Sequence, residues 1–302
     1  MILVTGGSGQ VATQLAQLSG CTQFVVIGKY ELDISNIDSI IKALDFYDPR
    51  FLVNAAAYTS VDSAEDHKNK AYLVNAKGPR LLARACEERD IPLLHLSSDY
   101  VFAGNIKNPF EPFTEEDKPN PTGIYAQSKH AGDIAVTSSL DKHIILRVSG
   151  VFSGHAACFP RAILRAGLKL GRLRIVDDQV SGPTSARSIA LTIEKIGLSY
   201  IENGNVPWGT YHFAQHPYMS WYEFAKVIIG DAAIKDKRFE NIEITPTSTS
   251  EYGAKAPRPQ NSCLESKKVR ETFGLPASLF DWRYDLDLVI TEIVSEIQVM
   301  PI

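Results

Sequence analysis

The chain has 302 residues, of which 44% are apolar and 22% charged, and its formal charge is −4. These are ordinary values for a globular protein, long enough for one large domain or two smaller ones. The acidic balance, with no Lys/Arg-rich run, leaves no footprint for nucleic acid, and no apolar stretch is long enough to span a bilayer. A strand-like run already begins at Ile2, which leaves no room for a signal peptide, so a cytoplasmic address is expected. The cysteines, Cys21, Cys86, Cys158 and Cys263, stand far apart with no C-x-x-C, and this predicts reduced thiols rather than zinc or a disulfide framework.

Ile2 to Thr5 is a short apolar run that ends at Gly6, and a helical pattern continues from Gln10 to Leu18. Gly6, Gly9 and Ala12 fit a G-x-x-G-x-x-G/A turn. There the first glycine permits the bend, the next lets backbone approach a pyrophosphate, and the small third residue allows close packing of helix on strand. Phe24 to Gly28 reads as the second strand. Lys29 stands where an NAD site would place an acid, with Glu31 and Asp33 just beyond. A cation there suits the 2′-phosphate of NADPH, so NADPH is the expected cofactor, with NADH possible.

Ile37 to Phe46 is a helix behind Ser35 or Asn36 as N-cap, and Phe51 to Ala57 is another buried strand. A helix from Ala71 to Glu88 leads to the strand Pro92 to Ser98. This alternation means a parallel sheet with ligands at the carboxyl ends of its strands, where Gly6–Gly9, Ala56, Ala57, Tyr58 and Ser97–Ser98 converge. Beyond a Pro-rich connection, Tyr125 and Lys129 are four apart and share one helix face. A lysine beside the phenol is expected to draw Tyr125 below its usual value of about 10 and make it a proton donor near neutrality. Ser98 would bond the same oxygen that Tyr125 protonates.

The helix runs on to Ser138, and His143 to Gly150 gives a sixth strand, after which the rhythm breaks. A basic amphipathic helix (Arg161, Arg165, Lys169, Arg172) follows Pro160, then a polar turn from Asp177 to Thr184 and a helix from Ser185 to Leu198. Ser220 to Glu223 has capping-box spacing for a helix to Ile229. Ala256 to Ser262 is a rigid polar loop holding Arg258, and Asp287 to Val299 is helical by pattern.

Taken together, these runs resemble the extended short-chain dehydrogenase/reductases and, within them, the dTDP-4-dehydrorhamnose reductase family. The likeness extends nearly end to end: Gly6-x-x-Gly9-Gln10, Glu31-Leu-Asp-Ile34, Asn54 to Asp62, Ser97 to Phe102, Tyr125-x-x-x-Lys129, Asp178 to Thr184, Ser220-Trp221 and Arg258 to Ser262. It implies an α/β fold in which a Rossmann-type doubly wound parallel sheet carries a smaller C-terminal α/β substrate domain. Residues 1–150, with 184–215 returning, would form the dinucleotide-binding part, and 151–183 with 216–302 the substrate-binding part. The implied reaction is reduction of a nucleotide-linked 4-keto-6-deoxyhexose by Ser98, Tyr125 and Lys129. The implied cofactor contacts add Gln10, Val11, Asp33 and Ile34 to Gly6, Gly9, Lys29, Ala56, Ala57, Tyr58 and the catalytic pair. Substrate contacts would come from Ser98, Tyr100, Val101, Asp178, Gln179 and Arg258, the last as a diphosphate partner.

The chain also departs from the family pattern. Ser149-Gly150-Val151 stands where many members have Ser-Trp-Val, and Ala156-Ala-Cys-Phe159 replaces Gly-Asn-Asn-Phe, so the sugar pocket is expected to differ. Gln14 occupies the place of a glutamate that holds magnesium between subunits in some members, so no metal is expected, and the protein would be a monomer or homodimer. UDP-linked N-acetylated keto-sugars stay open as substrates. Ser98-Asp99-Tyr100 lacks the acidic pair of the fold's dehydratases, and a 4-epimerase would hold its nicotinamide tightly. A regulatory subunit like that of methionine adenosyltransferase is the non-catalytic alternative.

Overall fold

The computed structural model describes residues 1–18, 23–105, 107–155 and 157–299, so Cys21 and Ala156 lie outside the described residues. In chain order the first half comprises β1 (Ile2–Thr5), α1 (Gln10–Leu18), β2 (Phe24–Val26), α2 (Ile37–Tyr47), β3 (Phe51–Asn54), α3 (Val61–Asp66), α4 (Lys68–Tyr72), a π-helical turn (Leu73–Lys77), α5 (Gly78–Glu87), β4 (Leu93–Ser98), α6 (Ile124–Thr137) and β5 (His143–Val148). The second half comprises β6 (Val151–Phe152), α7 (Phe159–Leu170), β7 (Arg172–Val176), β8 (Val180–Ser181), β9 (Thr184–Ser185), α8 (Ala186–Asn203), β10 (Gly209–Phe213), β11 (Met219–Ser220), α9 (Trp221–Lys235), β12 (Glu243–Thr247), α10 (Thr249–Tyr252), β13 (Asn261–Ser262), α11 (Lys267–Phe273) and α12 (Trp282–Val299).

Six parallel strands form the main sheet in the order β10-β5-β4-β3-β1-β2. Alternate residues of each strand face opposite sides. Ile2, Val4, Val53, Leu94, Ile144 and Leu146 therefore pack with α1 and α8 on one face. Leu3, Leu52, Leu93 and Ile145 pack with α2 and α5 on the other. The sheet is doubly wound, and its order reverses between β1 and β3, the crevice where such folds take ligands.

His143 to Val148 is the fifth strand along the chain, not the sixth. The sixth strand of the main sheet is β10, which crosses over through α8 and pairs with β5 from Gly209↔Ile144 to Phe213↔Val148. The helix expected from Ala71 to Glu88 is interrupted: five residues widen into a π-turn where Gly132 of α6 brings its backbone against Asn75. Arg172 sits on β7 rather than on the basic helix, because Gly171 ends α7 in the left-handed conformation at φ 67°. The second half packs α7, α9 and α12 around Phe152, Phe224 and Trp282, flanked by the parallel pair β7–β12 and the small sheet β11-β8-β13. Asn36 caps α2, and Ser220 and Glu223 close the expected capping box on α9. Cys86 and Cys263 are buried free thiols, and Cys158 is half-buried and free. Among the described residues, no helix is long and apolar enough to cross a membrane.

Candidate active site

At the carboxyl edge of the sheet lies a cavity of about 660 Å³. One wall is the glycine turn, with Gly9, Gln10 and Val11 at the mouth of α1. Gly6 is beneath it at φ 80°, where a side chain would begin 2.7 Å from the Ala56 nitrogen, so only glycine lets the two loops pass so closely. The open backbone and the start of α1 suit a pyrophosphate, whose charge the unpaired helix amides would stabilise. These residues fit a dinucleotide. Gln10 accepts a hydrogen bond from Ser153 at 2.9 Å, which ties the turn to the loop after β6.

Ala55 and Ala57 follow β3 into the cavity. Their loop is held from below by Asn75, whose side chain accepts from the Tyr58 amide at 2.8 Å and donates to the Tyr58 carbonyl and Ser128 hydroxyl, each at 3.0 Å. Ser128 in turn donates to the Tyr125 carbonyl at 2.8 Å. A residue on a π-turn thus joins the loop after β3 to the helix of the Tyr–Lys pair. Sequence reading missed Asn75, because the helical pattern runs through it unbroken.

Ser98 ends β4, and Ser98, Tyr125 and Lys129 all line the cavity. Tyr100 meets Tyr125 edge-on, with ring centroids 5.3 Å apart. The expected lowering of Tyr125 by Lys129 does not occur. Burial pushes the phenol well up, the charges of Asp99, Tyr100 and Asp133 push the same way, and only the Ser98 hydrogen bond opposes them. Lys129 instead donates to the Leu96 carbonyl at 2.7 Å, and burial draws it down to about 8 against the pull of Asp133. Shared helix spacing sets which face a side chain leaves from, but the Leu96 carbonyl of β4 captures the ammonium. Tyr125 is therefore a fully protonated phenol at neutral pH, the form a proton donor needs.

The far wall comes from the second half. Gly150, Ala157 and Phe159 line it, joined by Trp221 and Gln179. The Phe159 and Trp221 rings lie 4.5 Å apart, so aromatic surface does border this pocket, supplied from the starts of α7 and α9. Arg258 also lines the cavity. Its guanidinium pairs with Asp62 at 2.7 Å and donates to the Tyr100 hydroxyl at 3.4 Å, which closes the loop over α3. Asp99 is a lining residue too, named in the sequence only to argue against elimination.

Other expected contacts lie away from this cavity. Val101 is fully buried in a cluster with Phe102, Phe113, Ala214 and Leu264, because the turn after Ser98 points it inward. Asp178 faces out and accepts from the Thr249 amide at 2.9 Å and its hydroxyl at 2.6 Å. Lys29 is exposed and 3.6 Å from Asp33, whose carboxyl is held low chiefly by the Ser35 hydroxyl. Ile34 packs under Gly78. Lys29, Asp33, Ile34, Gly6, Ala56 and Tyr58 belong to the β1–β2–β3 side of the crevice, outside the cavity's lining. Among the described residues no cluster of His, Cys, Asp or Glu could hold a metal ion.

A doubly wound parallel sheet with a glycine turn at its crevice and a Ser–Tyr–Lys set at its carboxyl edge defines an oxidoreductase of the extended short-chain dehydrogenase/reductase class. The RmlD substrate binding domain family matches residues 1–295. A dTDP-4-dehydrorhamnose reductase of Aggregatibacter actinomycetemcomitans is 36% identical, covering 93% of this chain and 95% of that one. The crystal structure of dTDP-4-dehydrorhamnose reductase from Bacillus anthracis in complex with NADP superposes with a TM-score of 0.84 at 30% identity, covering 96% and 98% of the chains. The ortholog from Clostridium acetobutylicum gives 0.85 at 31% over the same shares. The chain belongs to the dTDP-4-dehydrorhamnose reductase family.

Proposed function

We propose that this protein reduces the 4-keto group of a nucleotide-linked 6-deoxyhexose in the cytoplasm, with NADPH preferred and NADH usable, and that the substrate is dTDP-4-dehydro-L-rhamnose. The observation that carries the reading is the protonated, buried Tyr125 beside Ser98 in a cavity that begins at the glycine turn. The relatives' shared name supports the choice of sugar, and the NADP complex of the Bacillus anthracis relative supports the cofactor.

Gly6, Gly9, Gln10 and Val11 would hold the pyrophosphate, and Lys29 the 2′-phosphate. Bound there, the reduced nicotinamide supplies a hydride. Tyr125 gives its proton to the carbonyl oxygen as negative charge develops on it. Ser98 bonds that oxygen, and the Lys129 ammonium adds positive charge to the same wall. Phe159 and Trp221 exclude water from the sugar face, and Arg258 releases Asp62 to take the diphosphate, whose oxygens match its planar fork.

The test follows nicotinamide absorbance with NADPH, then NADH, on dTDP-4-dehydro-L-rhamnose made in place by its epimerase. Rapid oxidation is expected, and Tyr125→Phe should lose roughly 100-fold or more of turnover while still binding NADPH. A Phe variant with wild-type turnover would remove Tyr125 from the mechanism. Gly150, small where a ring is common, and Ala157, small where an amide is common, favour one second reading, a UDP-linked N-acetylated keto-sugar. Bound NADPH with no oxidation of the rhamnose precursor would move the assignment there. Failure of both cofactors to bind would favour the regulatory-subunit reading.

A further inference from the structure

Asp99 is a carboxyl only 5% exposed at the floor of the reaction cavity, and the mechanism above gives it nothing to do. The Ser98 hydroxyl donates to its Oδ1 at 2.9 Å and accepts from the Tyr100 amide at 3.2 Å. Ser262 on β13 bonds it as well, and Ser98 bonds Tyr125. The titratable groups facing it are Tyr100 beside it, Tyr125 on α6 and Cys263 after β13, and its negative charge raises all three. The cations of the site are engaged elsewhere, Lys129 on the Leu96 carbonyl and Arg258 on Asp62. Among the described residues no counter-charge pairs with Asp99, and burial raises its carboxyl to about 6 against the hydrogen bonds of Ser262, Ser98 and the Asp99 and Tyr100 amides.

A serine hydroxyl has one proton. With Asp99 ionised, that proton points at the carboxylate, and Ser98 shows the substrate only a lone pair. With Asp99 protonated, the acid donates to Ser98, whose own proton is then free to point at the carbonyl oxygen.

We propose that Asp99 is the proton reservoir of this site and acts through Ser98. It sets Ser98 as a donor to the substrate oxygen and then restores Tyr125. The inference rests on the reductase reading above. Tyr125 transfers its proton to the substrate oxygen, whose carbon has received the hydride, and is left a phenolate. The Ser98 O–H proton moves to the phenolate, and the Asp99 carboxylic proton moves to Ser98. The site ends with a neutral phenol, a neutral serine and an Asp99 carboxylate, which takes a proton from water before the next turnover. Seating an anionic nucleotide-sugar in the cavity desolvates Asp99 and adds like charge, and both favour the acid.

The test is Asp99→Asn, whose amide keeps the shape and accepts from Ser98 at every pH. Turnover of the keto-sugar is expected to fall roughly 10- to 100-fold, the effect of losing one donor to a developing charge. The wild-type decline in kcat as pH rises through the Asp99 range should vanish, while KM and NADPH affinity hold. In the Ser98→Ala background the same substitution should cost nothing further. An unchanged pH profile or additive losses in an active wild type would overturn the role of Asp99 and leave the reductase reading standing. Infrared difference spectra of substrate-free enzyme supply an independent measure. A protonated-carboxyl band titrating near 6, absent from Asp99→Asn, is expected. Its absence from the wild type overturns the proposal, whether or not the chosen sugar is turned over.

Discussion

Gly132→Ala sets two physical effects against each other in the middle of α6. Alanine is a better helix former than glycine by about 1 kcal/mol, so propensity alone predicts a more stable protein. Packing predicts the reverse. A Cβ at Gly132 would sit 2.1 Å from the Asn75 carbonyl oxygen, where ordinary contact begins at 3.4 Å, and the obstacle is backbone rather than a flexible side-chain end. Overpacking of this kind costs about 1–3 kcal/mol. Moving Asn75 would also stretch its buried bonds to Tyr58 and Ser128, each worth about 1 kcal/mol. The net expectation is a loss of about 2–4 kcal/mol, or roughly 3–6 °C in Tm for a chain of this size. Urea unfolding of both proteins, followed by fluorescence, measures it, and an NADPH titration should show weaker binding because the Tyr58 loop moves with Asn75. A variant as stable as the wild type would refute the reasoning: the π-turn would then be soft, and Asn75 no fixed strut.

Three further outcomes follow from the site. Asp99 carries a folded-state value of about 6, above the roughly 4 of an unfolded carboxyl. The folded chain thus binds the extra proton, and stability is lost as pH rises through that interval. Asp99→Asn should then exceed the wild type by on the order of 2 kcal/mol near pH 8 and match it near pH 4; equal gains at both would contradict the sign. Lys29→Ala should raise KM for NADPH roughly 3- to 10-fold and leave NADH unchanged, since one exposed charge pair is at stake; a parallel change with both cofactors would place Lys29 away from the 2′-phosphate. Arg258→Ala should raise the nucleotide-sugar KM by roughly 10- to 100-fold with kcat within a few-fold. A fall in kcat alone would assign Arg258 to the chemistry instead of the diphosphate.

Much of the fold could be read from local signals. The glycine turn, the β–α rhythm and the Ser98, Tyr125, Lys129 set depend on turn chemistry and periodicity, which short stretches of sequence carry. β10 was not legible as a strand, since five residues beginning at Gly209 acquire their identity only by pairing with β5, far back along the chain. The π-turn was hidden for a related reason: Asn75 departs from α-geometry because of Gly132 on another helix. At the site, spacing placed Lys129 and Tyr125 on one face but could not report the Leu96 carbonyl that captures the ammonium. Val101 and Asp178 lie beside cavity-lining residues, and a turn of one residue is enough to send a side chain elsewhere.

The placement of β10 has a consequence for how the protein is made. Translation delivers β1 through β5 first, but the strand that covers the outer edge of β5 ends at Phe213. The helix that packs on Ile2 and Val4 spans Ala186–Asn203 and also emerges late. A nascent chain halted after Gly150 therefore presents an unpaired strand edge and one bare apolar sheet face, the features that drive nascent proteins to aggregate or to engage chaperones. The ribosome must deliver more than two hundred residues before the sheet can close, and α9 and α12 of the second half emerge later still.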